Sequence, residues 1–139
     1  MCMVGILLIA HNGLGDSLLD CIRHVTGRVP AHVKSLSVLA EDDPQQKETE
    51  ARALLKQINS GEGVLILTDI FGATPSNIAQ RLCQPGQIEG VAGVNLPMLL
   101  RVACGPDLPL IQMKQRALEG GRDCIVTLQE NLAGNKNCE

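Results

Sequence analysis

Two residues far apart in this 139-residue chain, His11 and Asp69, carry side chains suited to one reaction. A neutral imidazole is a good nucleophile near neutral pH, since its unperturbed pKa is about 6.5. A carboxylate that accepts a hydrogen bond from one ring nitrogen fixes the tautomer and presents the lone pair of the other. It also stabilises the positive charge that develops on the ring during attack. Phosphorus is the electrophile this setting suits, because each residue precedes a helix start whose backbone N–H groups can cradle an anion. The phosphate-binding candidates are Gly13 after His11, and Gly72, Ala73, Thr74 and Ser76 after Asp69. The Thr74 hydroxyl adds a donor unless capping occupies it. Helix dipoles contribute about 0.3–1 kcal/mol each, whereas holding two reactants in line contributes roughly 7–11 kcal/mol. Positioning therefore outweighs dipole attraction.

The elements that must do this positioning are readable from the pattern. His11 closes a continuous apolar run, residues 3–10, of the kind that forms a strand buried on both faces. Asp69 ends a second such strand, residues 64–68. Thr74-Pro75 then signals a helix: Thr caps exposed N–H groups, and Pro is tolerated at the first helical position. After His11, the apolar positions Leu14, Leu18, Ile22 and Val25 predict a helix that stops at Gly27. Residues 33–39 read as a strand nearer an edge. Asp43-Pro44 opens a helix with Ala51, Leu54, Leu55 and Ile58 facing inward and Glu48 and Arg52 outward.

The third helix ends near Gln84-Pro85-Gly86. Beyond it the pattern predicts a strand over 90–95, a helix from Pro97 to Gly105-Pro106, and a helix from Pro109 ended by Gly120-Gly121. A last strand is expected over 124–128. Strands alternating with helices imply an α/β fold: a single-domain, open, mainly parallel sheet flanked by helices. Right-handed crossovers leave few topologies, and the flavodoxin-like order 2-1-3-4 with a C-terminal edge strand fits. In that order the first and third strands are neighbours where the winding reverses, and ligands settle outside their carboxyl ends. His11 and Asp69 then flank one crevice. The domain is expected to span 1–128, with a polar tail over 129–139.

Composition removes other classes. The net charge is -3 with no basic cluster, and Phe71 is the only aromatic residue. A nucleic-acid or anionic-membrane surface would need clustered Lys/Arg, and no base-stacking platform can be built. The apolar N-terminal run fits neither a signal peptide nor a membrane span, so a cytoplasmic protein is expected. The six cysteines form no C-x-x-C pair and read as reduced thiols, with Cys21, Cys83, Cys104 and Cys124 packed as small apolar groups. There is no Walker lysine and no carboxylate cluster suited to Mg²⁺, so neither metal nor cofactor is expected.

At this point three stretches resemble a known family, the mannose-type enzyme IIA component of the bacterial phosphoenolpyruvate:sugar phosphotransferase system. They are the strand delivering His11, Thr68-Asp69-Ile70-Phe71-Gly72-Ala73-Thr74-Pro75-Ser76-Asn77, and Val91-Ala92-Gly93-Val94-Asn95-Leu96-Pro97-Met98-Leu99. The resemblance covers roughly residues 3–128. It implies that His11 accepts a phosphoryl group from the histidine-containing phosphocarrier protein and passes it to an enzyme IIB partner in sugar uptake or its regulation. It also implies that Asp69 is the partner of His11, that Thr74 lies beside the phosphate, and that the protein is a homodimer whose last strand, residues 124–128, joins the partner's sheet. Two alternatives stand beside it: a non-enzymatic regulator read out by its phosphohistidine state, and the related phosphocarrier of a dihydroxyacetone kinase.

Each residue also has an ordinary structural use. A lone histidine at a strand end is usually a satisfied residue, Asp69 can merely cap its loop, and Thr74 can be only an N-cap. His24 and His32 read as solvated or capping residues, and their spacing with His11 is not a zinc pattern. Gly13-Leu14-Gly15 fails as a dinucleotide loop because Leu18 stands where glycine is required. Phe71 fits either a core filler or an exposed docking contact.

Overall fold

A computed structural model describes residues 3–129 of the chain. In chain order the elements are β1 (Gly5–His11), α1 (Leu14–Thr26), β2 (Val33–Val38), α2 (Pro44–Ile58), β3 (Val64–Thr68), α3 (Thr74–Leu82), β4 (Ile88–Ala92), α4 (Leu96–Ala103) and α5 (Leu110–Asp123). The four strands form one sheet in the order β2-β1-β3-β4, and every pairing is parallel. This is the 2-1-3-4 order expected for a single-domain α/β protein.

Strand alternation divides the core into two layers. Ile6, Leu8, Leu65, Leu67 and Val91 face α1, α4 and α5, where they meet Ile22, Leu99, Val102 and Met113. Leu7, Ile9, Val64, Ile66, Leu36 and Val38 face the other way, onto Ala51, Leu55, Ile58, Ile78 and Leu82 of α2 and α3. Being covered on both faces explains why β1 and β3 read as unbroken apolar runs. Across the second layer Glu48 binds Arg81 at 2.6 Å as well as Arg52 at 2.9 Å, so the outward pair predicted on α2 also ties α2 to α3.

Helix starts follow local chemistry. Asp43 accepts a hydrogen bond from Gln45 N–H at 3.1 Å and caps α2. Asn95 caps α4 through Met98 N–H at 2.9 Å, while its amide donates to Gly121 O at 3.0 Å and clamps the end of α5.

Four expectations are corrected. The fourth strand runs over Ile88–Ala92 rather than 90–95, because Gly93 and Val94 turn their N–H groups onto Thr68 O at 2.9 Å and leave the ladder. Gly120-Gly121 does not end α5, which continues to Asp123. These glycines serve a close helix contact: a Cβ on Gly120 would lie 2.9 Å from Arg101 Cγ, and one on Gly121 would lie 2.6 Å from Met98 Cε.

The C-terminal edge strand is the third correction. Residues 124–128 form no strand in this chain, and Ile125, Val126 and Leu128 are exposed. An extended segment becomes a strand only by pairing with a ladder, and α5 leaves this one without a neighbouring edge among the described residues. The cysteines are the fourth: Cys21, Cys83 and Cys104 are free but exposed rather than packed, and Cys124 is disulfide-bonded. The tail expected over 129–139 lies, beyond Gln129, outside the described residues.

Candidate functional site

The site stands at the carboxyl edge of the sheet, between β1 and β3. Ile9 pairs with Thr68, so His11 and Asp69 leave adjacent parallel strands on the same edge. Asp69 Oδ2 accepts two hydrogen bonds from His11, from its backbone N–H at 3.0 Å and from ring Nδ1 at 2.7 Å. Asp69 Oδ1 accepts from Ile70 N–H at 3.0 Å. A carboxylate is acceptor-only, so Nδ1 carries the proton and Nε2 presents its lone pair. The Asp69 side chain is 12% exposed and that of His11 44%: the carboxylate is sheltered and the ring opens to solvent. Partial burial opposes ionisation of Asp69, but the hydrogen bonds from His11 and Ile70 outweigh it and hold the carboxyl below its ordinary value.

Both elements that follow the pair begin helices at this edge. In α1 the first intrahelical bond is Ser17 N–H to Gly13 O at 3.0 Å. That leaves the N–H groups of Leu14, Gly15 and Asp16 without an intrahelical acceptor. In α3 the first is Asn77 N–H to Ala73 O, also at 3.0 Å. Pro75 has no N–H, so Thr74 and Ser76 supply the open donors there.

The predicted phosphate residues divide. Ala73, not Thr74, is the N-cap of α3, and Thr74 is the first helical residue. Its hydroxyl is therefore not spent on capping. Ser76 is 3% exposed, and its hydroxyl accepts from Gly72 N–H at 2.9 Å and Ala73 N–H at 3.2 Å while donating to Ala73 O at 2.9 Å. Gly72 makes the turn with φ +90, a conformation that favours glycine. The Gly72 and Ala73 amides and the Ser76 hydroxyl are thus engaged with one another, and Gly13 sits at the start of α1. Sequence reading missed this use of Ser76; its signal was a hydroxyl at the third helical position, reaching back to the cap as the Glu of a capping box does.

Asn12, next to His11, has φ 50, in the left-handed region, and donates its N–H to Val38 O at 3.0 Å. Phe71 and its neighbour Ile70 are exposed, which removes the core-filler reading. His24 is exposed, and His32, on β2's approach, is partly buried; burial lowers its pKa, against the opposing charge of Asp107. Neither comes to the His11 edge. No helix among the described residues is long and apolar enough to cross a membrane.

A four-stranded parallel sheet in the order 2-1-3-4, with a half-open imidazole held against a sheltered carboxylate at its carboxyl edge and helix starts on both sides, defines the class: an open, parallel α/β protein with its candidate site at that edge. The particular family follows from its sequence: residues 5–111 match the model of the EIIA-man family, described as the PTS (phosphotransferase system) fructose IIA component. The chain belongs to this family.

Among its relatives, the mannose-specific EIIAB component of Escherichia coli (strain K12) is 26% identical over 129 residues, covering 91% of this chain and 40% of that protein. The fructose-specific EIIA component of Bacillus subtilis is 47% identical over 49 residues, 34% of each chain. The chain spans no more than 52% of the length of the curated relatives it matches first. Among solved structures, the mannose/sorbose-specific IIA subunit of Enterococcus faecalis superposes with a TM-score of 0.80 at 26% identity, covering 91% of this chain and 95% of that one. A system component EIIA from Streptococcus agalactiae, at 20% identity and a TM-score of 0.82, shares the fold.

Proposed function

We propose that this chain is a phosphoryl carrier: His11 takes a phosphoryl group from the histidine-containing phosphocarrier protein and passes it to an enzyme IIB partner in sugar uptake or its regulation. The observation that carries the reading is the 2.7 Å contact between His11 Nδ1 and Asp69 Oδ2 on an open ring. With Nδ1 protonated, the Nε2 lone pair attacks the phosphorus of the donor's phosphoimidazole. A P–Nε2 bond forms, the donor's P–N bond breaks, and its electron pair returns to the donor ring. Positive charge on the His11 ring is met by Asp69 without proton transfer. The N–H groups opening α1 and α3 and the Thr74 hydroxyl take phosphate oxygens, so Thr74 acts directly and Gly13, the N-cap of α1, sets the helix start that offers its donors. Gly72, Ala73 and Ser76 act by shaping the loop. Passage to the acceptor runs the same steps in reverse.

The family membership supports this assignment, and no cation is needed in it. The reading extends to a cytoplasmic protein whose phosphoryl-accepting domain spans 1–128 and which pairs as a homodimer, residues 124–128 completing the partner's sheet. In its favour, β4 is an edge strand and Ile125, Val126 and Leu128 are exposed.

The test is incubation with phosphoenolpyruvate, enzyme I and the phosphocarrier. The expected product is an acid-labile, alkali-stable phosphate that is lost in His11→Ala. Incorporation that survives that substitution, or moves to His24 or His32, overturns the assignment.

A further inference from the structure

The sheet has a second edge, and a cavity opens there. Met3 precedes β1 and His32 precedes β2, and Ile6 N–H donates to His32 O at 2.9 Å. Both therefore stand at the amino edge, across the sheet from His11. The helices α1 and α4 run out at the same edge, at Gly27 and Cys104. Between them lies a cavity of about 540 Å³ whose wall includes Met3, Thr26, Arg28, His32, Ala103 and Cys104. A second cavity of about 260 Å³, walled by Val25, Leu100 and Arg116, shares Thr26, Cys104 and Gly105 with the first. The larger one alone has the size of a small-molecule site, roughly 300–1,000 Å³.

The charge of this groove is one-sided. Among the described residues neither cavity is walled by a carboxylate, whereas each holds an arginine. Arg28 is exposed, and its guanidinium makes no ion pair or hydrogen bond among the described residues. Arg116 donates from Nε to Arg101 O at 2.9 Å, which leaves its Nη groups for another acceptor. Gly105 makes room for it: a Cβ there would press on Arg101 O and lie 3.0 Å from Arg116 Nη2. The φ of Gly105 is not in the left-handed region, so space rather than turn geometry calls for the glycine. The two helix ends carry about half an elementary negative charge each, and two guanidinium groups exceed that. Burial holds His32 below its ordinary pKa, against the charge of Asp107, and burial raises the Cys104 thiol. At neutral pH neither adds a charge to the groove.

We propose that this groove binds a small organic anion, a carboxylate or phosphate ester with an apolar body, its charged group on Arg28 and Arg116 and its body against Met3, Ala103, Val25 and Leu100. A guanidinium presents a planar fork of donors that matches the paired oxygens of either group. The Thr26 hydroxyl is already spent as a donor, on Ile22 O at 2.8 Å and Arg28 O at 2.9 Å, so the arginines carry the recognition. A bare inorganic ion would leave the apolar walls wet, and a cation would meet the guanidinium charge. Val25, 50% exposed on α1, is covered once the ligand is seated. The site stands apart from the phosphoryl-carrier reading, since its walls lie at the opposite edge of the sheet.

The experiment titrates the full chain with benzoate, phenyl phosphate and uncharged benzamide, and follows backbone amide shifts by NMR. At least one charged probe is expected to move the amides of residues 25–32 and 103–105 at millimolar concentration or below, with benzamide roughly tenfold weaker or worse. A response to one charged probe and not the other names the anionic group. Arg28→Gln and Arg116→Gln are each expected to weaken the charged probe roughly tenfold. Arg28, exposed and unbonded, keeps the test valid if the Arg116 change disturbs the end of α4. His11→Ala should bind as wild type does. Benzamide binding as tightly as the charged probes, shifts confined to the helix starts after His11 and Asp69, indifference to Arg28→Gln, loss of binding in His11→Ala, or no shift from any probe overturns the site. None of these results bears on phosphoryl uptake by His11, which is measured separately.

Discussion

Replacing Asp69 by asparagine tests how the site holds its imidazole. Asparagine keeps the shape of the side chain, but its amide can donate as well as accept, so Nδ1 is no longer compelled to carry the proton. The charge that would meet a developing imidazolium is also lost. The bond removed is charge-assisted and short, at 2.7 Å, on a carboxylate 12% exposed. Such a bond contributes about 1.5–3 kcal/mol, which converts to roughly 10- to 150-fold in rate. Because the ring end of the pair is 44% exposed, solvent screening puts the expectation toward the lower end.

The assay is rapid-quench measurement of phosphoryl uptake from the phosphocarrier. A variant within about twofold of wild type would refute the role given to Asp69. A stability measurement follows from the same bond. The folded-state pKa of Asp69 is lowered, chiefly by its hydrogen bonds to His11 and Ile70 acting against partial burial. The stability it supplies is therefore present above the ordinary carboxylate pKa and lost as pH falls through the lower folded value. As pH falls from the ordinary carboxylate range through the lower folded value, wild type should lose that contribution, and Asp69→Asn, having none, should lose less on acidification. Parallel acid-unfolding curves would count against the shift.

Two further outcomes are expected. Ser76→Ala strips the acceptor from Gly72 and Ala73 N–H and the donor from Ala73 O, so it should cost about 1–3 kcal/mol in denaturant unfolding and slow phosphoryl uptake by loosening the loop; unchanged stability would contradict the loop-holding role. Removal of residues 124–139 should convert a dimer to a monomer in sedimentation equilibrium, and a wild-type protein that sediments as a monomer would end the strand-exchange model.

How much of this was legible beforehand depends on whether the signal was local. β1 and β3 announced themselves because burial on both faces demands an unbroken apolar run, and each run led straight to a residue of the candidate site, His11 and Asp69. Asp43-Pro44 and Thr74-Pro75 marked helix starts within a residue because proline's fixed φ and missing N–H suit the first turn, although only Asp43 of the two polar residues proved to be the cap. Alternation of strand and helix, with right-handed crossovers, then left few topologies, among them the 2-1-3-4 order that is found.

What tertiary structure alone decided has one physical cause: pairing and burial are properties of neighbours, not of a stretch. Gly120-Gly121 reads as a stop until α4 is seen pressing Arg101 and Met98 against it. Residues 124–128 have strand-like composition but join no ladder among the described residues. Thr74 and Ser76 look interchangeable as hydroxyls; only the path of the loop frees one and buries the other. Phe71 by its type fits either the core or an exposed contact, and only the fold leaves it exposed. The sequence by itself determined which imidazole and which carboxylate close apolar strands, and the fold decided that those strands are neighbours and that the two groups meet at 2.7 Å on an open edge.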